Sequence, residues 1–104
     1  IIQIEHLDAV RNLDEILQVP GIDSICIGPY DLSGSMGKLG QTNDPEVVQA
    51  IEEICRKTLK AGLLLGTASG PYEVWKNRGL NWIAITSDCG GMISNYQQIV
   101  EKAK

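Results

Sequence analysis

No run of about 18 apolar residues, the length a helix needs to cross a bilayer, occurs in this sequence, so no membrane span is expected. A basic stripe is also missing. The net charge is −4, from 9 Lys and Arg against 13 Asp and Glu. Phosphate backbones are bound by clustered cations, so nucleic acid is not an expected partner. There is no CxxC pair, and the cysteines (Cys26, Cys55 and Cys89) are odd in number. They fit a reducing cytoplasm better than a disulfide scaffold, and read as small buried hydrophobes. Neither GxGxxG, a Walker A loop nor GxSxG is present, which argues against a nucleotide loop and covalent serine chemistry. The sequence has no initiator Met and no basic leader ahead of an apolar stretch. It opens abruptly on apolar residues Ile1 to Ile4, as a strand cut from something longer would.

What is there is regular. The chain has 104 residues, 43% of them apolar, which suits one domain spanning 1–104. Four apolar runs alternate with helical stretches. The runs are Ile1 to Glu5, Ile22 to Gly28, Leu63 to Gly66 and Trp82 to Thr86. Asn12 to Val19 reads as a helix, with Asn12 and Glu15 in capping-box spacing. The clearest helix starts at Asp44-Pro45 and closes at Gly62, with Val47, Ile51, Ile54, Cys55 and Thr58 on one face. Pro71 opens a short helix that ends near Gly79. Asp88 is the expected cap of a last helix carrying Ile93, Tyr96, Gln97 and Val100 on one side. The order βαβαβαβα implies a parallel sheet with helical crossovers. Two architectures satisfy it: an open doubly wound sheet, or half of a (βα)8 barrel, which usually needs about 250 residues.

In both, function gathers at the C-terminal ends of the strands. That places Gln3, Glu5 and His6, then Gly28 to Ser33, then Thr67 to Ser69, then Thr86 to Asp88. The stretch from Gly28 to Asn43 reads as a long glycine-rich loop, against an ordinary length of about 2–6 residues. Glu5 and Asp31 end neighbouring strands. Two such carboxylates suit Mg2+ or Mn2+, which take hard oxygen ligands, although solvated strand-end acids satisfy the same spacing. His6, the only histidine, alternates out of phase with Glu5 and is expected to be structural. Ser33 and Ser35 have no partner base. Lys38 sits in a polar loop where nothing depresses its pKa, so a Schiff base is not expected. Tyr72, Trp75 and Trp82 read as packing residues.

Gln3-Ile4-Glu5 with Asn12-Leu13-Asp14-Glu15, and Ile27-Gly28-Pro29-Tyr30-Asp31-Leu32-Ser33-Gly34-Ser35-Met36-Gly37, resemble the fifth and sixth βα units of the HpcH/HpaI aldolase family. Asp44-Pro45-Glu46-Val47 and Trp82 to Asp88 are also similar, so the resemblance runs along essentially the whole chain. It implies four βα units forming the C-terminal half of a (βα)8 TIM barrel with parallel strands. It implies a parent enzyme, a class II aldolase that reversibly cleaves 4-hydroxy-2-oxo acids to pyruvate and an aldehyde. On this resemblance Glu5 and Asp31 are the ligands of a divalent metal (Mg2+, Mn2+ or Co2+), and Gln3 lies near bound pyruvate. Backbone amides around Tyr30 and Asp31 hold the carboxylate and keto oxygen of pyruvate. Ser33, Ser87 and Asp88 lie in matching motifs.

The family's catalytic histidine and pyruvate-binding arginine fall in the half of the barrel this sequence does not contain, and Arg11, Arg56 and Arg78 fall on helices or their ends. No catalytic residue is therefore assigned here, and the fragment alone is expected to be inactive. Half a barrel leaves strand edges unpaired, so a homo-oligomer is expected, with Gly90 to Lys104 a candidate for exchange between subunits. Two alternatives stand beside this reading. One is a non-catalytic half-barrel that binds a divalent metal or a small carboxylate. The other is a flavodoxin-like sheet that binds phosphate in the long loop.

Overall fold

The computed structural model describes residues 1–104. Four parallel strands form one sheet: β1 (Ile2–Ile4), β2 (Ser24–Ile27), β3 (Leu64–Thr67) and β4 (Trp82–Ile83). Their spatial order is their chain order. Helices α1 (Leu7–Arg11) and α2 (Leu13–Ile16) lead from β1 to β2. Helices α3 (Pro29–Ser35) and α4 (Pro45–Lys60) lead to β3, α5 (Tyr72–Lys76) leads to β4, and α6 (Asp88–Ala103) follows. A doubly wound sheet reverses its strand order at a switch point. This sheet never does, which removes the flavodoxin-like alternative and leaves the barrel segment.

Register separates the two faces of the sheet. Ile4 is level with Ile27, and Ile25 with Leu65. These four join Val10, Leu13, Leu32, Ile54 and Trp75 in one core beneath the helices. Gln3, Cys26, Gly66 and Trp82 stand level in the alternate row, so they point to the opposite face. On that face one side chain crosses from β4 over β3 to β2. The indole of Trp82 lies across Gly66, where a Cβ would stand 2.0 Å from the ring. Its Nε1–H donates to Ser24 Oγ at 2.8 Å, and that hydroxyl donates to the Leu64 carbonyl at 3.0 Å. Gly66 is therefore fixed by the ring that crosses it.

α4 follows its sequence signals closely. The Asp44 carboxylate accepts from the Glu46 amide, Pro45 takes the first helical position, and Gly62 turns the chain at φ +75°. Val47, Ala50, Ile51, Ile54, Cys55 and Thr58 are buried along one face. Thr58 Oγ1 alone among buried side-chain polar atoms has no hydrogen-bond partner.

Five local expectations are corrected. The helix expected from Asn12 to Val19 is shorter, Leu13–Ile16, with a separate helix Leu7–Arg11 ahead of it, and Asn12 makes no side-chain cap. α1 is capped instead by His6, whose Nδ1 accepts from the Asp8 amide at 3.1 Å. The long loop begins with a helix, α3, because Pro29 sits at its first position and Leu32 is buried. Ser87, not Asp88, caps α6, accepting from the Gly90 amide at 3.0 Å. Cys26 and Cys55 are buried as expected, whereas Cys89 is exposed. Among the aromatic residues Trp75 and Trp82 pack, but Tyr72 is exposed. α6 has no buried residue, and Met92, Ile93, Tyr96, Ile99 and Val100 are all exposed on it. No helix is long and apolar enough to cross a membrane.

Candidate functional site

The C-terminal tips of β1 and β2 meet at Gly28. The ladder continues one step beyond β2, with the Gly28 amide donating to the Ile4 carbonyl at 3.1 Å. Gly28 has φ −105°, a conformation open to any residue, so glycine is not required by the backbone. It is required by space. A Cβ at this position would stand 2.7 Å from Gln3 Nε2, 2.9 Å from Glu5 Oε2 and 2.9 Å from Glu5 Cβ. Two polar side chains from one strand thus lie against the bare backbone of the next. Gln3 and Glu5 alternate onto the same face, and Gln3 Nε2 donates to Glu5 Oε2 at 2.6 Å. This short charge-assisted bond holds the carboxylate in one orientation and leaves its second oxygen open.

Cys26 belongs to the same group. It stands level with Gln3, and burial pushes its thiol pKa up, with the charge of Glu5 adding to the effect. A neutral, weakly nucleophilic thiol therefore lines the floor beside the carboxylate.

Asp31 lies in the first turn of α3, exposed, three residues beyond Gly28. Gly28, the N-cap, has no side chain to satisfy the first amides of that helix. The Leu32 amide closes onto the Gly28 carbonyl at 3.0 Å, and the amides of Tyr30 and Asp31 donate to nothing in the chain. The start of α3 thus offers two unused backbone donors next to the Gln3–Glu5 pair. Tyr30 itself is exposed, with its ring 3.4 Å from where a Cβ on Gly40 would stand.

The remaining polar residues of this end are engaged elsewhere. Ser33 Oγ donates to the Tyr30 carbonyl at 2.6 Å and accepts from the Gly40 amide at 3.0 Å. Ser35 Oγ donates to the Leu32 carbonyl at 2.7 Å and accepts from the Leu7 amide at 3.0 Å, tying α1 to α3. Thr67 is buried, its hydroxyl directed at the Ile27 and Ser69 carbonyls. Asp88 accepts from the Cys89 amide at 2.7 Å. Lys38 is paired with Asp44 at 2.7 Å and Glu46 at 2.8 Å. Those hydrogen bonds raise its pKa, the opposite of what a Schiff-base lysine needs. Nowhere do three or more His, Cys, Asp or Glu side chains converge as a metal-binding group. Glu5 and Asp31 offer a two-carboxylate set, a donor chemistry that fits Mg2+ or Mn2+, which keep several water or substrate ligands.

A profile described as HpcH/HpaI aldolase/citrate lyase matches residues 1–93. The chain belongs to this family. It is 33% identical to a hydroxypyruvate/pyruvate aldolase of Roseobacter denitrificans and 35% identical to a 5-keto-4-deoxy-D-glucarate aldolase of an Enterobacter species. Each match takes in 100% of this chain and 42% of the relative. The crystal structure of an HpcH/HpaI aldolase/citrate lyase family protein from Burkholderia cenocepacia superposes with a TM-score of 0.90 at 25% identity, over 97% of this chain and 40% of that one. The chain therefore spans about two fifths of the relatives it matches, as four consecutive βα units of a larger barrel.

The candidate residues were legible at Gln3, Glu5, Tyr30 and Asp31. Gly28 and Cys26 were not singled out. Gly28 was read as the end of the second strand and the start of a glycine-rich loop, with no contact to Gln3 or Glu5 expected. The available signal was its place at the tip of a buried strand, beside a strand ending in Gln-Ile-Glu.

Proposed function

We propose that this chain carries the metal-binding half of a cytoplasmic aldolase that forms and cleaves 4-hydroxy-2-oxo acids with pyruvate as the common product. The observation that carries the reading is the Gln3–Glu5 pair held against Gly28, beside two unused amides at the start of α3. Glu5 and Asp31 would hold the divalent cation, Mg2+, Mn2+ or Co2+. Such an ion supplies polarisation of a keto oxygen when bound. The chain's own contribution is placement. Gln3 fixes the Glu5 carboxylate through Nε2, and its amide oxygen and second N–H remain to orient pyruvate. The Tyr30 and Asp31 amides receive the pyruvate carboxylate, as free helix-start donors do for anions. Trp82 and Cys26 form a floor without charge beneath them.

Binding without turnover is the expected behaviour of this chain alone. Its only histidine caps α1 through Nδ1. Arg11 and Arg56 lie on helices, and Arg78 is held by Glu52. No base is left to take a proton from the methyl group of pyruvate, and a positioned base contributes roughly 10²–10⁴-fold in rate. The exposed apolar face of α6 and the free edges of β1 and β4 support self-association. The test is exchange of the pyruvate methyl protons into deuterated water, followed by NMR with Mg2+ present. Exchange no faster than with Mg2+ alone is expected. Rapid exchange would mean that the chain supplies its own base, contrary to this assignment.

A further inference from the structure

Ser33 and Ser35 each donate back to a carbonyl of α3. A back-bond of this kind is ordinary in a helix. What each hydroxyl accepts is not. Ser33 accepts from Gly40, in the loop that follows the same helix. Ser35 accepts from the Leu7 amide at 3.0 Å, 28 residues earlier in the chain. Its single proton goes to the Leu32 carbonyl at 2.7 Å, which leaves a lone pair for Leu7.

The two groups joined in this way flank the site. Leu32 directly follows Asp31, and Leu7 lies two residues beyond Glu5. One oxygen atom therefore stands between the backbone segments that carry the two carboxylates. The segments differ in how firmly they are held. Leu32 is fully buried, which anchors α3 in the core. Between Ile4 and Val10 no residue is buried. Glu5 has one side-chain hydrogen bond, to Gln3, and His6 caps α1 from within the same segment. The ladder between the first two strands ends where Gly28 donates to the Ile4 carbonyl. Beyond that point no other hydrogen bond links residues 5–11 to α3. Ser35 is the polar tie that sets where the chain after β1 runs past α3.

We propose that Ser35 is a positioning residue for the cation site, acting on Glu5 and Asp31 through the Leu7 amide and the Leu32 carbonyl. This rests on the assignment of those two carboxylates as the metal ligands. Without the hydroxyl, the segment from Glu5 to Leu7 is free to shift against α3, and the two carboxylates no longer keep one spacing. A small hard cation with a strict coordination geometry is sensitive to such a shift. The fold is less so, because Ser35 is only half-buried and lies outside the apolar core.

The test is calorimetric titration of the whole chain and its variants with Mn2+, each variant first shown to be folded by circular dichroism. Ser35→Ala should weaken Mn2+ binding by roughly tenfold, the lower end of the range for groups that orient a metal ligand. Ser35→Thr, which keeps the oxygen, should bind as the parent chain does. Leu7→Pro removes the same bond from its other side. Leu7 is the first residue of α1, a position proline favours, and His6 before it is already extended at φ −135° and ψ 142°. This variant should weaken Mn2+ to a similar extent, and it carries the test should Ser35→Ala not fold. The double variant should bind no more weakly than either single one, since both act through one bond. A merely structural hydroxyl would lower the urea midpoint of Ser35→Ala and leave its Mn2+ affinity as in the parent. Unchanged affinity in folded Ser35→Ala or Leu7→Pro, or losses that add in the double variant, would overturn the proposal while Glu5→Gln and Asp31→Ala still abolish binding. A parent chain that binds no Mn2+ would overturn the metal assignment itself, and this inference with it.

Discussion

Oε2 of Glu5 lies 2.9 Å from the point where a Cβ on Gly28 would stand. The end of one strand is thus shaped to the side chain of its neighbour, and the backbone of Gly28 itself is unstrained. Gly28→Ala should therefore act on the site more than on the fold. The new methyl displaces Gln3 Nε2 and Glu5 Oε2, which can swing away, and meets Glu5 Cβ at 2.9 Å, which yields only through a small shift of the chain after β1. Urea denaturation should show a loss of about 1–3 kcal/mol, the usual scale of overpacking. Mn2+ affinity should fall by roughly tenfold, as one misplaced ligand implies. Full stability loss with unchanged Mn2+ binding would contradict this.

Gly66 presents a harder limit. A methyl there meets the rigid Trp82 ring at 2.0 Å, so Gly66→Ala must expel the indole and break its bond to Ser24. Trp82 fluorescence, isolated by Trp75→Phe, should shift to the red, and stability should drop by more than about 2 kcal/mol. An unshifted emission spectrum would mean that the indole does not cross Gly66.

The Thr58 hydroxyl is buried without a partner, and an unsatisfied buried polar group costs about 1–3 kcal/mol. Thr58→Val keeps the shape and removes the cost. The urea midpoint should rise, corresponding to about 1 kcal/mol.

Thiol reactivity should be graded. Cys89 is exposed, while Cys26 and Cys55 are buried. Burial, aided by Glu52, pushes Cys55 up to about 11, and burial raises Cys26 as well. One thiol should react rapidly with an aromatic disulfide at pH 8, and all three in guanidinium. These raised pKa values also set a sign. Neutral thiols favour the folded state, so that contribution is intact below the ordinary thiol pKa of about 8.5. It is lost as pH rises towards 11. Stability that rises over this interval would contradict the burial.

Much of this architecture could be read from the chain because parallel strands and amphipathic helices leave different periods. Ile25-Cys26-Ile27 and the Val47 to Thr58 face each declared their environment. α3 was missed because Ser33, Gly34 and Ser35 are weak helix formers. What makes that segment helical is tertiary: Leu32 in the core and Ser35 tied to Leu7. Asn12 had the right residue type and spacing for a cap, but His6 already starts the helix ahead of it. Local capping signals compete, and packing decides between them. The role of Gly28 could not be read from one strand, since it depends on what the neighbouring strand projects.

The exposed apolar face of α6 gives a further test. Ile93, Tyr96 and Val100, on this face, are 55–60% exposed, a poor state for a monomer. Light scattering should find a dimer or larger species, and Ile93→Glu with Val100→Glu should return it to the monomer. A monomeric parent chain at tens of micromolar would refute the self-association.

The central assignment is most directly tested by calorimetric titration of the chain with Mn2+, with and without pyruvate, alongside Asp31→Ala and Glu5→Gln. The account predicts that Mn2+ binds, that pyruvate tightens it, and that each substitution removes both effects while the circular dichroism spectrum is retained. Equal behaviour of the parent chain and both folded variants would mean that Glu5 and Asp31 form no metal site in this half-barrel.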